Sequence, residues 1–139
     1  MISLRLAARL RDAGLRWRPA RGDRFVLPDR DMDDDVFVLS DLSVELHEIS
    51  DGTLLGFNGT VEWALDSVDL TDALWLPSEE QLRARLGGTF QSLERVDGRF
   101  SVATRIGGHD IRVEHAVAAE AYGLALLHLI TGEPIDQPG

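Results

Sequence analysis

Two turn dipeptides constrain this chain more than any other feature of it. Asp97-Gly98 and Gly107-Gly108 stand nine to ten residues apart, and each pair tolerates the positive backbone φ that a two-residue hairpin demands. They divide the region into three consecutive strands, Thr89 to Val96, Arg99 to Ile106 and His109 to Glu114. The middle strand alternates, with Phe100, Val102 and Thr104 on one face and Ser101 and Ala103 on the other. An antiparallel sheet is therefore expected in the C-terminal half, followed by a helix from about Val117 to Ile130.

The remaining punctuation adds two more helices and further strands. Ser3 is placed to cap a helix over Leu4 to Ala13, with Gly14 as its stop. Ser78 with Gln81 makes a capping box for a helix over Glu79 to Leu86, ended by Gly87, and Leu74-Trp75-Leu76-Pro77 would dock it. Short apolar runs at Phe25-Val26-Leu27 and Val36-Phe37-Val38-Leu39 read as strands, the second one buried. Val44 and Leu46 alternate with Glu45 and His47 in a third strand. The turns Ser50-Asp51-Gly52 and Asn58-Gly59 bracket a fourth over Thr53 to Phe57, and Val61, Trp63 and Leu65 share a face of a fifth. The expected fold is α+β, a mostly antiparallel meander sheet of about six to eight strands with three helices. Residues 1–131 are expected to form a single α+β domain, and 132–139, with Pro134 and Pro138, a flexible C-terminal tail.

Composition excludes several classes of function. The chain of 139 residues has no cysteine, so it has no disulfide framework, thiolate metal site or cysteine nucleophile. Its longest apolar stretch, Ala116 to Ile130, is 15 residues and would span about 22 Å as a helix, short of a hydrocarbon core. No membrane partner is expected. Met1 to Leu10 alternates arginine with leucine and alanine rather than forming a signal-peptide core, which points to the cytoplasm.

Charge is distributed unevenly. Residues 1–30 hold eight arginines against three aspartates, 31–80 hold 14 acids and no arginine, and the net charge is −10. Such a surface repels phosphate backbones, so no nucleic acid is expected, and the acidic stretch favours a basic partner surface. Pairing of the basic and acidic segments within the fold would neutralise both.

The candidate chemistry is thin. Asp29, Asp31, Asp33, Asp34 and Asp35 resemble an oxygen-rich cation loop, but an EF-hand needs glycine at its sixth position and glutamate at its twelfth, where this chain has Asp34 and Ser40. A solvated loop is the expectation, with no metal. His47, His109, His115 and His128 lack a close ligand-pair spacing. There is no nucleophile elbow, and without lysine there is no Walker loop. Trp17, Trp63 and Trp75 suit core packing, with a ligand cleft as the other use of their indoles. Glu62 and Asp66 would serve acid–base chemistry only in a shared cleft. No catalytic residue and no cofactor is assigned.

The segments Gly14-Leu15-Arg16-Trp17-Arg18-Pro19 with Gly22-Asp23, Trp75-Leu76-Pro77-Ser78 with Glu80-Gln81-Leu82, and Glu120-Ala121-Tyr122-Gly123-Leu124-Ala125-Leu126-Leu127 together span most of the chain. They resemble a group of small uncharacterised bacterial, chiefly actinobacterial, and phage proteins. Relatives in that group carry a pilus-assembly ATPase label, from which this chain departs by lacking a phosphate loop. The resemblance implies no catalytic residue. The leading reading is a noncatalytic binding or adaptor module, and its alternative is a small hydrolase or transferase with a site assembled from distant residues.

The last helix bears on partners. Val117, Leu124, Leu127 and Ile130 already supply a stripe to face the core, which leaves Tyr122, Leu126 and Leu129 over. A helix apolar nearly all round must bury both sides. A homodimer or protein-partner interface on Tyr122, Leu126 and Leu129 is therefore expected, unless another element of the same chain covers them.

Overall fold

A computed structural model describes residues 1–28, 32–39, 45–49, 52–56, 67–69 and 73–135. Its elements in chain order are α1 (Leu4–Asp12), β1 (Arg24–Leu27), β2 (Met32–Val38), β3 (Glu45–Ile49), β4 (Gly52–Gly56), β5 (Ser67–Asp69), β6 (Leu74–Leu76), α2 (Glu79–Leu86), β7 (Phe90–Val96), β8 (Arg99–Ile106), β9 (His109–His115) and α3 (Ala118–Thr131). The class is α+β with three helices among the described residues. The chain divides into two compact units, one of Met1–Arg16 with Pro77–Gly139 and one of Trp17–Leu76.

The strands do not form the single meander expected. They fall into three antiparallel sheets of three strands, ordered β2-β1-β6, β3-β4-β5 and β7-β8-β9. The reason lies with β1, which offers two edges. One takes β2, its neighbour in sequence, and the other takes β6, with Phe25 opposite Trp75 and Val26 opposite Leu74. Leu74-Trp75-Leu76 is thus a buried strand rather than a lead-in to α2. The expected strand through Val61, Trp63 and Leu65 lies outside the described residues, as do Glu62 and Asp66.

The unit of Trp17–Leu76 is organised around aromatic side chains. Trp17 lies 6.5 Å from Trp75 with rings nearly parallel and 5.4 Å from Phe25, and Phe25 lies 5.5 Å from Phe37. Phe25 and Phe37 are register partners across β1 and β2, so one face of that sheet carries the whole group. Val36 and Val38 take the opposite face of β2 and are exposed, at 41% and 59%, which corrects the expectation that this run is buried throughout.

The other unit is built on the hairpins. Asp97 and Gly98 have φ of 52° and 77°, Gly107 and Gly108 of 57° and 81°. Two consecutive left-handed residues are the signature of the turn whose twist matches its flanking strands. The turns hold Val96 opposite Arg99 and Ile106 opposite His109. Val102 and Val113, directly opposed in the centre, are fully buried.

α3 packs on β8 and β9, and α1 and α2 pack on it as well. Gly123 permits the approach of α1, since a Cβ there would stand 2.6 Å from Leu6 Cδ2 and 3.3 Å from Ile2 Cδ1. The capping box of α2 is present in full, with Ser78 Oγ accepting from the Gln81 amide at 3.1 Å and Gln81 Oε1 from the Ser78 amide at 2.9 Å.

Candidate binding cleft

Two of the three residues expected to face a partner are inside. Tyr122 and Leu126 are each 2% exposed, and Leu129 is half-buried, whereas Val117 and Ile130 from the expected core stripe are exposed. Leu124 and Leu127 of that stripe are buried as well, so α3 buries both of its sides in the middle and exposes Val117 and Ile130 at its ends. Tyr122 packs its ring 5.8 Å from Phe90. Burial raises the pKa of its hydroxyl, an effect that Arg83 of α2 partly opposes. The alanines at 118, 119, 121 and 125 are buried too, so α3 is surrounded by its own unit. Tyr122 and Leu126 are not available to a second chain.

The tryptophans also separate. Trp75 is core, at 8% exposed, Trp17 is half-buried, and Trp63 lies outside the described residues. Trp17 is held by Asp23, whose Oδ2 accepts from the Trp17 indole at 2.9 Å and from the Ala20 amide at 2.9 Å. Asp23 is buried, and its backbone binds Ala20 and Leu39. This carboxylate shapes the turn before β1. It is a structural acceptor.

The acidic stretch is only in part a loop. Residues 32–35 belong to β2, Asp35 is exposed, and Asp29 and Asp31 lie outside the described residues. Among the described residues no cluster of three or more histidine, aspartate or glutamate side chains is placed to hold a metal ion. His109 is exposed at the second hairpin turn, and His128 Nδ1–H donates to the Glu133 carbonyl beyond the end of α3.

A cleft of about 360 Å³ is lined by Ser3, Arg5, Leu6, Arg9, His115, Glu120 and Leu124, all from one compact unit. Its residues come from three elements. Arg5 and Arg9 stand one helical turn apart on α1, so their guanidinium groups share a face. His115 ends β9, and its Nδ1 accepts from the Val117 amide at 3.0 Å, leaving the proton of the neutral ring on Nε2. Glu120 sits in the first turn of α3, where a carboxylate is favoured by the helix dipole, and accepts from the Ser3 amide. The volume lies in the range of small-ligand sites.

No family model, curated protein or solved structure matches the chain. The chemistry of the cleft must therefore be read from its own side chains. Four donors line it, Arg5, Arg9, the His115 Nε2–H and the Ser3 hydroxyl, beside one carboxylate already engaged by a backbone amide. Among the described residues neither arginine makes an ion pair, in contrast to Arg11 with Asp12, Arg105 with Asp110 and Arg112 with Glu94.

Sequence reasoning passed over this cleft. Arg5 and Arg9 carried the one local signal, their spacing of four on a helix. Their conjunction with Glu120, 117 residues from Ser3, depends on the packing of α1 against α3.

Proposed function

We propose that this protein is a noncatalytic binding module whose docking site is the cleft between α1, the end of β9 and the start of α3. The observation that carries the proposal is the division of labour among the cleft's side chains. Glu120 and His115 Nδ1 accept backbone amides and so organise the chain, while Arg5 and Arg9 face the open volume. A general acid or base must present its proton-transfer atom to a substrate. Here His115 Nδ1 accepts the Val117 amide, so the other ring nitrogen of the neutral imidazole carries its proton and cannot take up another, and the arginines beside it are cationic donors suited to holding.

The alternative, a small hydrolase or transferase, draws its support from the same cleft, because it sets a histidine and a glutamate, five residues apart in sequence, against α1 from the other end of the chain. The two readings separate in one experiment. Wild-type protein and the double variant Arg5→Gln/Arg9→Gln are used as bait in lysate of the native host, and generic carboxylate and phosphate esters are assayed in parallel. A partner or ligand retained by wild type and lost by the double variant, with no turnover, is the expected result. Turnover that falls on His115→Gln or Glu120→Gln would replace the binding module with the enzyme.

A further inference from the structure

We infer that the cleft takes a small molecule carrying a single carboxylate on an apolar body; this rests on the binding-module reading and gives it a ligand class. The lining contains two guanidinium groups and one carboxylate, with His115 contributing a neutral N–H when its Nδ1 accepts the Val117 amide. The formal charge of the site is therefore one positive unit, which one carboxylate neutralises. A polyanion would leave excess negative charge against Glu120 in a chain whose net charge is −10.

Geometry favours a carboxylate in a second way. Arginine presents a planar fork of donors that matches the two oxygens of a carboxylate, and charge-assisted bonds of this kind are stronger than neutral ones. Arg5 and Arg9, one turn apart on α1, supply two such forks on one wall. Leu6 and Leu124 line the same cleft. Only a small part of each is exposed, 3% of Leu6 and 8% of Leu124, so they give the ligand's body a small apolar floor within a lining whose other residues are polar.

The test is a titration of the full ¹⁵N-labelled chain with butyrate, followed by amide shifts, with inorganic phosphate in a parallel arm. Butyrate should move the amides of residues 3–9 and 115–120 saturably, with a dissociation constant on the order of millimolar for so small a fragment. Arg5→Gln/Arg9→Gln should abolish saturation while keeping the dispersed spectrum of a folded chain. Arg5→Lys/Arg9→Lys, which keeps the charge without the forks, should weaken it, and Arg95→Gln on β7 should leave it unchanged. Absence of saturation by butyrate, or saturation that survives in the Gln double variant, overturns the assignment. So does phosphate binding more tightly at the same amides, which would make the site one for phosphate. If butyrate fails while capture from lysate still depends on Arg5 and Arg9, the ligand class falls and the binding module stands; if both fail, both fall.

Discussion

Asp23 shows how a single residue can be misread when its surroundings are unknown. In the sequence it is one acid among the arginines of the first 30 residues, a natural member of a surface charge pattern. In the structure it is 5% exposed and accepts from the Trp17 indole and the Ala20 amide. Replacing Asp23 by alanine strands two donors at once. The expected loss is about 1–3 kcal/mol, the cost of leaving buried polar groups unsatisfied. Asp23→Asn keeps an oxygen acceptor and should lose less. Urea denaturation of both variants, together with the near-ultraviolet circular dichroism of Trp17, measures the difference. Equal stability of Asp23→Ala and wild type would remove Asp23 from the list of structural residues. Glu120 follows the same rule, an unremarkable polar residue in the sequence that gains the Ser3 amide only through the fold, whereas His115 finds its donor locally, in the amide two residues on.

At the level of elements, the hairpins and helices form where local chemistry places them. α2 occupies the expected residues because its cap and its stop lie within three residues of its ends. The β8–β9 hairpin also carries an ion pair across its turn, Arg105 Nε to Asp110 Oδ1 at 2.7 Å, between exposed side chains. The hydrogen bond from Arg105, and then its charge, hold the Asp110 carboxyl below the usual carboxylate range. A carboxyl with a lowered folded-state pKa adds stability that is present above its unfolded-state pKa and is lost as pH falls through the folded value. Asp110→Asn should therefore differ from wild type in Tm at neutral pH, and the two should converge toward about pH 2. Added salt should shrink the difference at neutral pH, because the pair is open to solvent. A difference that grows on acidification would contradict this origin.

For the whole molecule, the informative element is α3. Leu126 is 2% exposed and Leu129 half-buried, in a helix packed on by α1, α2, β8 and β9. Leu126→Asp is expected to abolish the fold, since it buries a charge with no partner. Leu129→Asp should stay folded. Circular dichroism and light scattering, read together, decide the matter. A folded Leu126→Asp chain with half the mass of wild type would restore the expected interface. By itself, the sequence determined the two C-terminal hairpin turns, the caps at Ser3 and Ser78, the helix positions and the three consecutive C-terminal strands, because the φ values of Asp97-Gly98 and the box at Ser78 depend on neighbours within a few residues. The tertiary structure alone decided that β1 pairs with β6, that Tyr122 faces inward, and that Arg5, Arg9, His115 and Glu120 surround one cleft. An apolar pattern states how much surface must be buried, but several partners satisfy it equally well. The choice among them belongs to long-range packing, which fits α1 against Gly123 and joins the first 16 residues to those after 76.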